Sequence, residues 1–231
     1  MNELDKYKAI TQFLAYTLGA DHEIVLHWRD KNGSFYIAEI ENSDISGRDA
    51  NSPITGFALE LVQNKVYEEQ NFVSHYFAQT QNGREIKGST YFIKGANGKL
   101  LGLLCINFDV SKYVNLSEDI LQMVGISKDT ALQLKSQQNT NMPVVFEKEK
   151  NQAEEILHSD VTEIIRSSID EHLLQPGVIM SPETKIKIIQ GLSNKGIFQI
   201  KGVLPYVAEI MGISESSVYR YLQKVKLNEK V

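Results

Sequence analysis

The sequence has few of the residues that stabilise small extracellular or metal-binding proteins. Its 231 residues include a single cysteine, Cys105, so no intrachain disulfide can form, and no CxxC pair or His/Cys cluster suggests a structural metal. No uninterrupted apolar run is long enough to cross a bilayer, and no charged start precedes an apolar segment. We therefore expect a cytoplasmic protein without a membrane partner, and we identify no cofactor and no metal site.

Catalytic constellations are also scarce. His22, His27 and His75 lie near carboxylates in the sequence, and Cys105 is a conceivable nucleophile beside one of them. His27 and Cys105 stand in apolar stretches, however, where such residues more often belong to the core. The glycines of GANGK (95–99) fit a hairpin turn better than a phosphate-binding loop. We predict that the chain is not an enzyme.

Hydrophobic residues make up 42% of the chain, enough for ordinary cores, and the length favours two domains. An amphipathic helix is expected before Gly19. Two hairpins follow, one formed by EIVLHWRD and SFYIAEI, the other by EIKGSTYFIK and LLGLLCINFDV. Pro53 is expected to open a short helix between them. The pattern predicts an α+β unit with an antiparallel sheet and flanking helices.

The middle of the chain predicts a domain boundary. A helix is expected from Ser117 to about Gln138, with Gly125 as an interruption, and the polar residues that follow favour a linker. A second, long helix is expected from about Gln152 to Leu174, and its apolar stripe either packs within its own domain or pairs two protomers. We assign residues 1–138 to the first domain, 139–151 to the linker and 152–231 to a helical region.

The segment VLPYVAEIMGISESSVYRYLQKV (203–225) predicts a helix-turn-helix, within a unit of about 182–227. Gly212 suits the sharp turn and Ser214 caps the second helix. Val218, Tyr221, Leu222 and Val225 form its buried stripe. A helix in the major groove needs short polar side chains near its N-terminus and longer or cationic ones further along. The candidate DNA contacts are Ser214, Ser216, Ser217, Tyr219, Arg220, Gln223 and Lys224.

Charge is distributed unevenly along the chain. The formal net charge is -5, which alone argues against a nucleic-acid partner. From Thr184 to Val231, however, eight Lys and Arg residues stand against three Glu residues, so this end carries +5 and the remainder -10. A basic end on an acidic body favours a DNA-binding module, because phosphate contacts need cations gathered in one place.

The chain resembles the YheO/DauR-like family of bacterial regulators, in which a PAS-type sensor domain precedes a C-terminal helix-turn-helix. The resemblance rests on EIVLHWRD, SGRDANSPIT, GREIKGSTYFIKGANGKLLGLLCINFDVS and GIFQIKGVLPYVAEIMGISESSVYRYL. It implies a PAS-like fold for the first domain, an all-α helix-turn-helix domain after it, and a function in transcriptional control.

A sensor pocket in the PAS-like domain is expected from polar residues near or within its strands. Arg48 either clamps a ligand carboxylate or forms a surface salt bridge. The candidate ligand contacts are His27, Ser46, Arg48, Tyr91, Cys105 and Asn107. We predict a regulator that binds double-stranded DNA as a homodimer and responds to a small molecule or partner. The alternative is a non-enzymatic interaction or signalling scaffold with a PAS-like domain.

Overall fold

The computed structural model describes residues 2–131, 155–157, 160–175, 178 and 180–228. The strands are β1 (His22–Arg29), β2 (Phe35–Glu41), β3 (Phe72–Thr80), β4 (Glu85–Lys94), β5 (Leu100–Asp109) and β6 (Glu155–Leu157). The helices are α1 (Glu3–Leu18), α2 (Gly56–Gln63), α3 (Val66–Glu69), α4 (Ser111–Met123), α5 (Val161–Ser167), α6 (Pro182–Asn194), α7 (Leu204–Ile210) and α8 (Glu215–Asn228). None of the helices in these ranges is long and apolar enough to cross a membrane.

One six-stranded sheet forms the N-terminal domain, in the order β2-β1-β5-β4-β3-β6. All neighbouring strands are antiparallel except β3 and β6, which are parallel. The hairpins predicted for β1–β2 and β4–β5 are confirmed. The first turn forms because the Asp30 carboxylate accepts hydrogen bonds from the backbone N–H groups of Asn32 and Ser34, each at 2.9 Å, while Gly33 supplies a φ of +91°.

The two faces of the sheet are covered differently. On the outer face, α1 packs Leu4, Tyr7 and Ile10 against a small core that includes Leu26. On the inner face, α2 and the segment before it cover β1, β4 and β5. The side chain of Thr55 caps α2 by accepting a hydrogen bond from Ala58 N, so this helix begins three residues after Pro53.

The C-terminal helices pack on the inner side of the sheet rather than apart from it. A continuous cluster of buried apolar side chains extends from Phe35 of β2 through α2 and α5 to Val207 and Val218 of the helix-turn-helix. Lys201 N donates a hydrogen bond of 3.1 Å to Phe35 O, next to a bridge between Phe35 and Ile200. The two domains therefore share one core.

Two sequence predictions for the middle of the chain need correction. The single helix expected from Gln152 to Leu174 is wrong, because residues 155–157 form strand β6 at the sheet edge, and among the residues described in this range only Val161–Ser167 forms an α-helix. The helix expected from Ser117 begins earlier, at Ser111, and is interrupted where predicted, since Gly125 has a φ of +68°. The predicted linker, 139–151, lies outside the described residues.

Candidate nucleic-acid interface and effector site

The helix-turn-helix is formed by α7 and α8. Gly212 takes a φ of +61° in the turn, and Ile213 N donates to Ala208 O at 3.0 Å, which closes the end of α7. Ser217 N donates to Ser214 Oγ at 3.2 Å. The predicted roles of Gly212 in the turn and of Ser214 as the cap are therefore confirmed.

The face of α8 that packs against α6 and α7 is the predicted one. Val218, Leu222 and Val225 are buried, and Tyr221 is half-buried. Val207 and Ala208 of α7 lie in the same cluster. This packing fixes the rotation of α8 about its axis, and hence which side chains it turns outward.

The outward face of α8 carries the candidate DNA contacts. Arg220, Gln223 and Lys224 are exposed, and the Tyr219 side chain is 56% exposed. At the N-terminus, Ser214 Oγ lies 2.9 Å from Ser216 Oγ and 3.0 Å from Ser217 Oγ. Of the seven predicted contacts, Ser217 is half-buried. The other six are exposed: Ser214, Ser216, Tyr219, Arg220, Gln223 and Lys224. The arrangement offers hydroxyl groups near the helix start and a guanidinium and an ammonium further along.

A second polar site lies inside the N-terminal domain, on the inner face of the sheet. The carboxylate of Glu23 on β1 is fully buried and pairs with Arg48, whose Nη2 lies 2.5 Å from Glu23 Oε1. Asn107 Nδ2 on β5 donates to the same oxygen at 2.8 Å, and Ser46 Oγ donates to Glu23 Oε2. Arg48 Nε in turn donates to Ser46 Oγ at 3.1 Å. We call Glu23, Ser46, Arg48 and Asn107 the buried polar cluster.

Two atoms near this cluster have no hydrogen-bond partner among the described residues, namely Asn107 Oδ1 and His27 Nδ1. His27 is 1% exposed and lies on the same face of β1 as Glu23. Burial, with a smaller contribution from the positive charge of Arg48, lowers the pKa of His27 to about 3. His27 is therefore neutral at physiological pH and presents a polar nitrogen to the interior.

The thiol of Cys105 and the hydroxyl groups of Thr90 and Tyr76 form a row of polar contacts beside the buried polar cluster. Its Sγ lies 3.4 Å from Thr90 Oγ1, which in turn lies 2.9 Å from the phenolic oxygen of Tyr76. The Tyr76 ring covers Gly88, where a Cβ would lie 2.1 Å from a ring carbon. Any side chain at Gly88 would thus displace Tyr76 from Thr90.

The structure brings together five of the six predicted ligand contacts. Tyr91 is the exception, because it lies on the outer face of β4, 43% exposed, whereas its neighbour Thr90 points inward. The surface salt bridge expected for Arg48 is wrong, because Arg48 pairs with Glu23 in the interior of the domain. Glu23 was not identified as a site residue from the sequence. The spacing could have shown it, because Glu23, Val25 and His27 alternate along one apolar strand and therefore share a face.

Sequence comparisons relate both parts of the chain to known families. The family model of the YheO-like PAS domain matches residues 1–125, and that of an HTH domain matches residues 164–223. The chain is 28% identical over 226 residues to the uncharacterized protein YheO of Escherichia coli K12, covering 96% of this chain and 85% of YheO. An uncharacterized protein of Haemophilus influenzae is 27% identical, with 98% and 93% covered. The transcriptional regulator DauR of Pseudomonas aeruginosa is 24% identical, with 96% and 94% covered.

Proposed function

The chain belongs to the YheO-like PAS family, and from this premise we propose that it is a transcriptional regulator that binds double-stranded DNA through α8. The observation that carries the proposal is the division of α8 into two faces. Val218, Leu222 and Val225 close the core, while Arg220 and its polar neighbours are left outside. The name of the Pseudomonas aeruginosa relative, a transcriptional regulator, supports the same role. Such a role entails a location where the chromosome is accessible, the bacterial cytoplasm.

DNA binding by α8 can be tested by selecting genomic DNA fragments with the purified protein at near-physiological salt. We expect one enriched site with two-fold symmetry, because a single recognition helix contacts few bases and two half-sites multiply the affinity. Arg220→Ala should weaken binding to that site by about 5- to 150-fold, since a base-reading arginine contributes roughly 1–3 kcal/mol.

A matched control separates base reading from loss of charge. Lys99 is exposed in the β4–β5 turn of the sheet domain, so Lys99→Ala removes the same charge away from α8. We expect this variant to keep the wild-type site and affinity. Absence of an enriched sequence at any salt concentration would overturn the proposal and favour the interaction scaffold instead.

We further propose that the inner face of the sheet holds the effector site, formed by His27, Ser46, Arg48, Cys105 and Asn107. The support is a pair of buried atoms, His27 Nδ1 and Asn107 Oδ1, that have no hydrogen-bond partner in the described part of the chain. Buried polar groups are rarely left unpaired unless a ligand or water completes them. Such a site suits a small polar molecule with hydrogen-bond donors.

The chain that carries Ser46 and Arg48 leads into α2, which reaches the C-terminal helices. Gln63, the last residue of α2, donates a hydrogen bond through Nε2 to Ser193 O of α6 at 3.4 Å. An effector that moved Arg48 would therefore act on a segment in contact with the DNA-binding domain. Its effect on DNA affinity is limited to its preference for one arrangement of that segment, usually about 1–3 kcal/mol.

Thermal-shift measurements with a panel of small polar metabolites test the effector site. A true effector raises the Tm of the wild-type protein and changes its DNA affinity. Both effects should be lost in Asn107→Leu and kept in Ser89→Ala, which alters the outer face of β4. If the same compounds stabilised Asn107→Leu equally, the inner face would not be their binding site.

A further inference from the structure

Helix α4 buries none of its thirteen residues in the described structure. An isolated helix of about that length is only marginally stable in water, and most helices in proteins are stabilised by packing an apolar face. Val114 and Leu121 of α4 are half-buried, so one side of the helix rests on its own domain, whereas its other apolar side chains are left uncovered by the described part of the chain.

The apolar side chains of α4 form one stripe. Tyr113, Leu116, Ile120 and Met123 are spaced three, four and three residues apart, the spacing of the contact seam in paired helices. They are 54%, 57%, 55% and 86% exposed. Val124, 64% exposed, lies beside the stripe just after the helix ends. Four large apolar side chains at this spacing on a solvent-facing helix indicate an interaction surface.

The surface continues from α4 onto the rest of the outer face. An open groove of about 680 Å³ lies beside Tyr113, lined also by Leu18, Ile106 and Phe108. The rings of Phe108 and Tyr113 are 5.3 Å apart. The end of α1 is adjacent, because Lys112 at the start of α4 forms an ion pair with Asp21.

Helix α1 presents a second apolar ridge away from the sheet. Phe13 is 65% exposed and Tyr16 is 97% exposed, although α1 already packs its opposite face on the sheet. Together with the α4 stripe and Val124, these side chains expose on the order of 800 Å², given that a large aromatic side chain buries 150–250 Å². That is about the area that each partner contributes to a stable protein–protein interface.

We propose that a second copy of this chain covers α4, with the two α4 stripes packed against each other and the ridge of α1 extending the contact. The same patch on both copies suits an interface with two-fold symmetry. The occupant is a second copy because the spacing is that of a seam between like helices and the exposed area matches a stable dimer. The inference rests on the proposed function only in that a symmetric operator needs a dimer.

The mass of the full chain in solution, measured by sedimentation velocity, tests this interface. We expect a dimer for the wild type. The double variant Leu116→Glu/Ile120→Glu should raise the dimer Kd at least about 100-fold, because two buried side chains of this size are replaced by charges. Since both side chains are exposed in one copy, the variant should remain folded, as judged by circular dichroism and by the fluorescence of the single tryptophan, Trp28.

The matched control adds the same charges on the opposite side of α4, as Asn115→Glu/Gln122→Glu, where both residues are exposed. This variant should dimerise like the wild type. A monomeric wild type, a dimer that survives the Leu116/Ile120 changes, or equal loss of dimer in the control would each overturn the inference. DNA binding is tested separately, by the loss of the enriched site in Arg220→Ala, so failure of this interface is distinguishable from failure of DNA binding.

Discussion

At the scale of single residues, the N-terminal domain buries an ion pair in an apolar interior. Glu23 and Arg48 are both almost inaccessible to solvent, and Asn107 and Ser46 supply further hydrogen bonds to the carboxylate. Removing two charges from water is costly, and their attraction compensates only when the remaining lone pairs are satisfied. Glu23 meets that condition, whereas Asn107 Oδ1 does not. Among the described residues, Asn107 Oδ1 is thus an acceptor without a donor beside a carboxylate whose hydrogen bonds are satisfied, which is why we propose the effector site there.

His27 should make stability depend on pH. In the folded state burial lowers its pKa to about 3, while the unfolded chain has the ordinary value of about 6.5. Between these two values the unfolded state binds the extra proton, so the free energy of unfolding should fall as the pH drops below 6.5. The slope from this residue is up to about 1.4 kcal/mol per pH unit. Urea unfolding at several pH values measures it.

His27→Gln should remove that part of the slope. The charged groups of the buried polar cluster, Arg48 and its partner Glu23, stay in place in this variant. Thr90→Val serves as the control, because it disturbs the hydroxyl contact with Tyr76 in the same interior without removing a titrating group. It should lower stability but keep the wild-type slope. An unchanged slope in His27→Gln would mean that His27 is not the buried neutral group described here.

At the scale of secondary-structure elements, local pattern and register decide what is visible in the sequence. The β1–β2 and β4–β5 hairpins have clear turns and were predicted. Strand β3 was not, because His75 sits in a bulge with a φ of +60° and breaks the alternation of apolar residues. Strand β6 was hidden in an apolar stripe that also fits a helix, and its three residues depend on pairing with β3.

The orientation of α8 gives a prediction at this scale. Val218 is fully buried between α6, α7 and α8, so Val218→Asp places a charge in the core at a cost of several kcal/mol. The cooperative unfolding of the C-terminal helices, followed by far-ultraviolet circular dichroism in urea, should be lost or strongly shifted.

Gln223→Asp is the control, because the same carboxylate is then exposed on the opposite face of the same helix. Its stability should remain within about 0.5 kcal/mol of the wild type. Equal stability of the two variants would mean that α8 faces the other way, and the candidate DNA contacts would then lie in the core.

At the scale of the whole molecule, the shared core implies that the two domains unfold together. Phe35 of the sheet and Val207 of the helix-turn-helix belong to one buried cluster, and Lys201 contacts both the backbone of Phe35 and the ring of Tyr36, 4.9 Å from its Nζ. Because such contacts join the two domains, a substitution that destabilises one domain should also destabilise the other.

Leu222→Ala tests this coupling, since it removes buried side-chain atoms from the C-terminal helices at a cost of about 2–5 kcal/mol. Trp28 lies on β1, so its fluorescence reports only on the sheet. We expect its unfolding midpoint to shift with the variant and to coincide with the midpoint from circular dichroism. An unshifted fluorescence transition, with Gln223→Ala as the unperturbed reference, would show two independent domains.

The sequence alone determined the elements whose information is local. Turn residues, together with apolar residues at every second position, specified the two predicted hairpins. Apolar residues repeating about every 3.6 positions, together with Gly212 and Ser214, specified the helix-turn-helix and its outward face. The tertiary structure decided what depends on residues distant in the chain. Packing determined that Glu23 pairs with Arg48, that His27 is buried and that Tyr91 lies apart from the other candidate residues. It also added β6 to the sheet and docked the C-terminal helices on β2, and no local pattern encodes such contacts.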